Sequence, residues 1–419
     1  MKLHVESDRT LIRSAASSTR YVRVAFTAPE AQRRRARLPV NVALVLDRSG
    51  SMSGGKLDLA REAAERALAL LNSDDRFAVV VYDDRVDVVA ASTKATADAR
   101  ARASGRLRRI EPRGSTDLGS GWLTGCEQVG REIAHDSIGR CLLLTDGLAN
   151  QGITSHAELA RHAGELRSRG VATSTFGVGE DFDERLLQAM AEAGGGNSYY
   201  LRDAEQISEF LESEIGEALE VVARGATLVV HLPDGATGKP LGRQRSSQSG
   251  RTLRIELDDL VSRQEVELAV LVRFPEGRDG DRVDALFTME DRDGALHAAE
   301  ARQSWAYAPH GENDQQPRVV TVDRVVARFY AAQARTEAVN RNRDGDLEGA
   351  RRVLHRTAER IRSYAGKDRE LLDLVRELER DSERYSDTVL SALALKEAAY
   401  LNFAVARSRA ADGKARRGS

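Results

Sequence analysis

A short apolar strand that ends in a carboxylate constrains this chain more than any other feature. Residues 42–46 are small or branched apolar residues, as expected for a strand buried on both faces of a parallel sheet. Asp47, Ser49 and Ser51 follow this strand and lead into a predicted helix. Open α/β sheets bind ligands at the carboxyl ends of their strands, so these side chains are candidate ligands for a hard cation.

Two further segments add oxygen-bearing side chains. Thr116 opens a second predicted helix, and Asp146 ends a second apolar strand that includes residues 142–144. The complete candidate set is Asp47, Ser49, Ser51, Thr116 and Asp146. This set resembles the metal-ion-dependent adhesion site of von Willebrand factor A domains and integrin inserted domains. The resemblance implies that the first four residues hold Mg²⁺, Mn²⁺ or Ca²⁺, and that Asp146 acts directly or through water.

Residues 41–220 alternate between predicted strands and helices, which indicates a doubly wound α/β sheet with helices on both faces. The strands are predicted at 42–47, 76–82, 85–91, 140–145, 171–178 and 198–201, and the helices at 56–72, 97–108, 118–135, 156–169, 183–194 and 204–219. Asp83 and Asp84 leave no room for a crossover, so the strands on either side form an antiparallel hairpin. The von Willebrand factor A fold has such an edge strand.

The rest of the chain predicts two further domains. Alternating runs at 226–232, 251–257, 264–273, 282–289 and 296–305 indicate a β-sandwich over residues 221–312. Strand-like runs within residues 1–40 are predicted to complete it, so that the α/β domain is inserted in the sandwich. Helical periodicity over 317–412 predicts a four-helix bundle, and residues 413–419 are predicted to be a disordered tail.

Composition limits the class of function. The 419 residues carry a net charge of −2, which argues against a dedicated nucleic-acid surface. The first residues lack the apolar stretch of a signal peptide, and no run approaches the length of a membrane span. Two cysteines give no disulfide framework. We therefore expect a cytoplasmic protein that binds neither membrane nor nucleic acid.

Residues 340–346 form the strongest rival metal motif, because they place oxygen ligands and a glycine as an EF-hand loop does. The twelfth position of such a loop, normally glutamate, is Arg351, whose charge would repel Ca²⁺. We interpret this segment as a turn between helices, with Gly345 ending one helix and Asp346 capping the next.

Two other motifs receive structural interpretations. Gly54, Gly55 and Lys56 follow the first strand, but the spacing of a phosphate-binding loop is absent. The basic stretch 33–37 is interpreted as a solvated linker. No nucleophilic triad is evident, so the protein is not expected to be an enzyme.

The resemblance implies a function in protein recognition. A cation held largely by neutral hydroxyls keeps a position for a Glu or Asp of a partner protein. The alternative is a non-catalytic adaptor subunit of an AAA+ ATPase complex of the magnesium-chelatase type. A hydrolase has little support, because no general base accompanies the metal ligands.

Overall fold

The chain folds into two units, one of which is inserted in the other. The computed structural model describes residues 1–31, 37–134, 136–296, 299–387 and 389–417. The inserted unit comprises Gln32–Val221, and the outer unit comprises Met1–Ala31 and Val222–Ser419. Three strands precede the insertion: β1 (His4–Ser7), β2 (Leu11–Arg13) and β3 (Ser18–Thr27).

The inserted unit is a doubly wound α/β domain, which confirms the predicted fold class. The elements are β4 (Val40–Asp47), α1 (Lys56–Ala69), β5 (Arg76–Tyr82), β6 (Val86–Lys94), α2 (Ala97–Leu107), α3 (Leu118–Gly130), β7 (Ile138–Thr145), α4 (His156–Ser168), β8 (Val171–Val178), α5 (Glu184–Gly194), β9 (Gly195–Leu201) and α6 (Ile207–Leu219). The sheet has the strand order β6-β5-β4-β7-β8-β9. Among these described strands only β5 and β6 pair antiparallel, as the hairpin at Asp83 predicts.

Burial explains why the central strands carry so few polar residues. All eight residues of β4 are buried, as are all eight of β8, because helices cover both faces of the sheet. Helix α1 turns an alanine-rich face, which includes Ala60, Ala63 and Ala67, toward the core. These small residues allow the helix to lie close to the branched side chains of the sheet.

The outer unit contains two sheets. Their strand orders are β1-β3-β14-β11 and β12-β13-β10-β15-β16-β2. The additional strands are β10 (Val221–His231), β11 (Thr237–Pro240), β12 (Ser246–Ser249), β13 (Thr252–Val261), β14 (Glu265–Phe274), β15 (Arg282–Glu290) and β16 (Glu300–Ala308). Strand β3 pairs with β14 along its whole length, so the N-terminal strands lie in the sandwich sheets rather than in the α/β sheet.

Two details of the sandwich differ from the predictions. Strand β16 begins at Glu300 and not at residue 296, because the Asp291 carboxylate accepts hydrogen bonds from the amides of Asp293, Ala295 and Leu296 and thereby lengthens the turn. The predicted disorder of residues 413–417 also differs from the structure. The Glu265 amide donates to the Arg416 carbonyl at 2.8 Å, which holds this segment beside β14.

Among the described residues after β16 there are five helices, of which the last four correspond to the predicted bundle. They are α7 (His310–Gln315), α8 (Val320–Arg343), α9 (Leu347–Ala365), α10 (Arg369–Asp387) and α11 (Ala392–Ala406). Val325 and Phe329 of α8 pack against Leu271 of β14, which joins the helices to the sandwich. Within the described ranges, no helix has both the length and the hydrophobicity needed to cross a membrane.

The segment that resembles an EF-hand loop is a turn between α8 and α9. Gly345 has a φ of 79°, which reverses the chain after α8. One carboxylate oxygen of Asp346 accepts from the Gly349 amide at 2.8 Å, and the other lies 2.8 Å from Arg341 Nη1. Both oxygens of Asp346 are therefore engaged within the chain, as its capping role predicts.

We expect Asp346→Ala to lower the midpoint of thermal unfolding, because the first amides of α9 lose their cap. Asp346→Asn retains a capping oxygen and should keep most of the midpoint. Circular dichroism during heating, with and without Ca²⁺, measures both effects. A Ca²⁺-dependent increase in the midpoint that Asp346→Ala abolishes would contradict the assignment of this segment as a capped turn.

Candidate metal centre

The candidate site lies where the strand order of the α/β sheet reverses. The chain runs from β4 to β5 on one side, and β7 later pairs with the other side of β4. Leu46 is opposite Leu144 in this parallel register. Asp47 and Asp146 therefore follow neighbouring strands at the same rim, the position where such sheets bind ligands.

Hydrogen bonds join the first loop to the end of β7. The Asp47 carboxylate accepts from Thr145 Oγ1 at 2.6 Å and from the Ser49 amide at 2.8 Å. The Ser49 and Ser51 hydroxyls lie 3.0 Å apart, and Ser51 Oγ donates to Asp146 Oδ1 at 2.6 Å. The structure thus brings together four of the five predicted ligands through direct contacts.

Thr116 approaches the same place from the loop before α3. Its Oγ1 lies 3.5 Å from the position that a Cβ on Gly147 would take, and Ser51 Oγ lies 3.6 Å from that position. Asn150 holds the Thr116 backbone through two hydrogen bonds. The side-chain oxygen of Asn150 accepts from the Thr116 backbone amide at 3.0 Å, and the backbone amide of Asn150 donates to the Thr116 carbonyl at 3.2 Å. Sequence reasoning missed Asn150, whose only signal is its place in the loop after Asp146.

The two carboxylates are buried, whereas one hydroxyl is open to solvent. Asp47 and Asp146 are at most 1% exposed, but Ser51 is exposed. Burial raises the pKa of Asp47 to about 6, an increase that the hydrogen bonds from Thr145 and Ser49 limit. Asp47 is therefore predominantly ionised at neutral pH and is available as a metal ligand.

Lys56 is a further residue of the site that the sequence did not reveal. Its Nζ lies 2.6 Å from Asp146 Oδ2, so both oxygens of Asp146 have partners. Lys56 is the first residue of α1, and Gly54 and Gly55 before it both have positive φ. Those glycines indicate the tight turn that brings the ammonium to the rim, although their spacing excludes a phosphate-binding loop.

The donor set fits a hard divalent cation. Two carboxylates and three hydroxyls supply only oxygen, the donor that Mg²⁺, Mn²⁺ and Ca²⁺ prefer. Across the ranges given above, the structure contains no group of three His, Cys, Asp or Glu residues arranged to hold a metal. A cation bound at this rim therefore depends on hydroxyl ligands as well as on its two carboxylates.

Comparison with known proteins identifies this unit. Residues 41–213 match the family model of the von Willebrand factor type A domain. The inserted unit is a von Willebrand factor type A domain. Members of this family commonly bind a divalent metal at the adhesion site. The assignment of the five ligand residues in this chain is a prediction.

Two curated relatives each match slightly less than half of this chain. The uncharacterized protein sll0103 of Synechocystis sp. is 28% identical over 201 residues, which cover 48% of this chain and 46% of that protein. The uncharacterized protein YfbK of Escherichia coli is 30% identical over 188 residues, which cover 44% of this chain and 32% of that protein. The chain thus spans less than half the length of these relatives.

The architecture of nearly the whole chain recurs in a solved structure. A von Willebrand factor type A protein from Catenulispora acidiphila aligns with a TM-score of 0.70 at 21% identity. The alignment covers 90% of this chain and 89% of that one. The similarity extends beyond the von Willebrand factor type A domain to most of the outer unit, and at this identity it concerns the fold alone.

We expect Lys56→Met to increase the affinity of the full chain for Mg²⁺ by about tenfold, because a unit charge a few ångströms from the cation is worth roughly 1 kcal/mol or more. Titration calorimetry measures the change. Lys94→Met is the matched control, since Lys94 of β6 lies opposite Arg76 of β5 in the strand register, at the other rim of the sheet. A lower affinity in Lys56→Met would show instead that Lys56 holds Asp146 in a binding position.

Proposed function

We propose that the von Willebrand factor type A domain binds a divalent cation and, through it, an acidic side chain of a partner protein. The ligands are Asp47, Ser49, Ser51, Thr116 and Asp146. One observation carries the proposal: two buried carboxylates and the hydroxyl groups converge at a single rim, where Ser51 is open to solvent. A partner side chain can therefore reach the site from solvent.

The charges of the site favour an anionic ligand. Asp47 and Asp146 together carry −2 when both are ionised, and the Lys56 ammonium beside Asp146 brings their sum to −1. A bound Mg²⁺ or Mn²⁺ would supply a Lewis-acidic coordination position and change that sum to +1. Hydroxyl ligands preserve this positive sum, whereas further carboxylates would cancel it.

The family supports a binding role. Von Willebrand factor type A domains mediate protein–protein interactions. His156 Nε2 lies 2.8 Å from Asp183 Oδ2, so the partner of this histidine in the structure is Asp183 and not one of the five proposed ligands. We therefore propose recognition of a protein and no catalytic step.

We expect Asp47→Ala to abolish binding of Mg²⁺ and Mn²⁺ while the fold persists, because Asp47 lies at the rim of the sheet among polar partners and not in the apolar core. Asp47→Asn preserves the side-chain volume and should give the same loss. Calorimetry measures binding, and circular dichroism checks the fold. Asp58→Ala is the control, because Asp58 is an exposed carboxylate of the same unit, paired with Arg61. Unchanged metal affinity in both Asp47 variants would refute the ligand set.

We expect the immobilised full chain to capture a partner from extract in Mg²⁺, to release it in EDTA and to recapture it when Mn²⁺ is added. Thr116→Ala should weaken capture and Asp47→Ala should abolish it. Mass spectrometry identifies the partner, and an AAA+ ATPase among the metal-dependent proteins would specify the adaptor role. Capture that is indifferent to EDTA and to both substitutions would confine any metal to a structural role. Metal-dependent turnover of a phosphoester or peptide that Asp47→Ala abolishes would establish catalysis instead.

A further inference from the structure

A cluster of paired charges lies beside the candidate ligands without belonging to them. Asp83 Oδ2 lies 2.9 Å from Arg48 Nε and 2.7 Å from Arg113 Nε. The other oxygen of Asp83 accepts from the Arg85 amide at 2.7 Å. Arg48 also makes an ion pair with Asp87. One carboxylate therefore joins two arginines from distant parts of the sequence.

The three central members of this cluster lie on three different loops. Arg48 lies between Asp47 and Ser49, Asp83 lies in the hairpin between β5 and β6, and Arg113 lies in the loop that carries Thr116. The cluster therefore connects the two loops that supply hydroxyl ligands.

Backbone hydrogen bonds make the same connections. The Arg113 amide donates to the Arg48 carbonyl at 2.8 Å, and the Gly50 amide donates to the Gly114 carbonyl at 3.2 Å. On the far side of Thr116, the Asp117 amide donates to the Asp83 carbonyl at 2.8 Å. Thr116 is thus flanked in the sequence by two attachments that lead to the charged cluster, in addition to the hydrogen bonds that Asn150 makes with its backbone directly.

The burial of these charges indicates a role in positioning. The side chains of Arg48 and Asp83 are 5% and 0% exposed. Burial alone would raise the pKa of Asp83, but the hydrogen bonds from Arg113 and the Arg85 amide hold it below its ordinary value. A buried ion pair often stabilises a fold no better than apolar side chains would. The directional contact in this cluster is the hydrogen bond that Arg113 Nε donates to Asp83 Oδ2, whereas Arg48 Nε lies 2.9 Å from the same oxygen without hydrogen-bond geometry. These contacts set the relative position of the two ligand loops.

We infer that Asp83 and Arg113 are positioning residues that hold Thr116 at the metal centre. Neither side chain is a ligand in this inference; both act through the loop 113–117. The inference rests on the proposed function, because it concerns the affinity of the site for its cation. It assigns the hairpin after β5, which supplies no ligand, a defined part in metal binding.

The decisive experiment is a double-mutant cycle in the full chain with Mg²⁺ as the probe. Arg113→Met should lower the affinity for Mg²⁺ by about tenfold, the low end of what residues behind metal ligands contribute. Arg113 is half exposed, so its replacement leaves the core intact. In a Thr116→Ala background the same substitution should have almost no further effect, because Arg113 acts through Thr116.

Two companion variants sharpen the cycle. Arg113→Lys keeps a cation near Asp83 and should recover part of the affinity. Arg108→Met is the matched control, because Arg108 is a largely exposed arginine whose ion-pair partner is Glu65 and not Asp83. Its affinity for Mg²⁺ should equal that of the unsubstituted chain.

Hydrogen exchange separates this inference from the proposed function. Arg113→Met should accelerate amide exchange at residues 114–117 whether or not a cation binds. If the unsubstituted chain binds no Mg²⁺, the proposed function fails, and unchanged exchange in Arg113→Met would overturn the positioning role as well. If the chain binds Mg²⁺ but Arg113→Met binds it equally well, or loses as much affinity in the Thr116→Ala background, the positioning role alone is overturned.

Discussion

The parallel pairing of β4 with β5 and β7 is the interaction on which the rest of the α/β domain depends. In this register Asp47 is opposite Tyr82, and Leu46 is opposite Leu144. Since every residue of β4 is buried, a shift of one residue would exchange the side chains on its two packed faces and disrupt both. Apolar packing thereby fixes where the polar residues after each strand must lie.

The rim combines groups that would repel one another in isolation. The buried carboxylates of Asp47 and Asp146 repel each other when both are charged. Hydrogen bonds from Thr145, Ser49 and Ser51 stabilise part of this negative charge. The Lys56 ammonium offsets another part. The polar contacts therefore make possible an arrangement of carboxylates that apolar packing alone would not tolerate.

The sequence predicted the parts of this protein that follow from pattern. The apolar runs of β4 and β7 each end at a carboxylate. Once a parallel sheet is assumed, this pattern predicts where both strands end and which ligand residues follow them. Strand β12 was missed, because Ser246–Ser249 is polar and fully exposed and shows no alternation. Asn150 and Lys56 were missed for a different reason: their contacts depend on loop conformations that no periodicity encodes.

The discontinuity of the outer unit also constrains the order in which this chain folds. Tyr21 of β3 pairs with Leu271 of β14, and the whole von Willebrand factor type A domain separates the two in sequence. During synthesis β3 leaves the ribosome long before β14, so the pairing between them cannot form until the inserted domain has been made. All strands of the inserted domain are made before β14, so this domain can fold while β3 still lacks its partner strand. Assembly of the sandwich is therefore a late event, because β3 is made long before its neighbour β14.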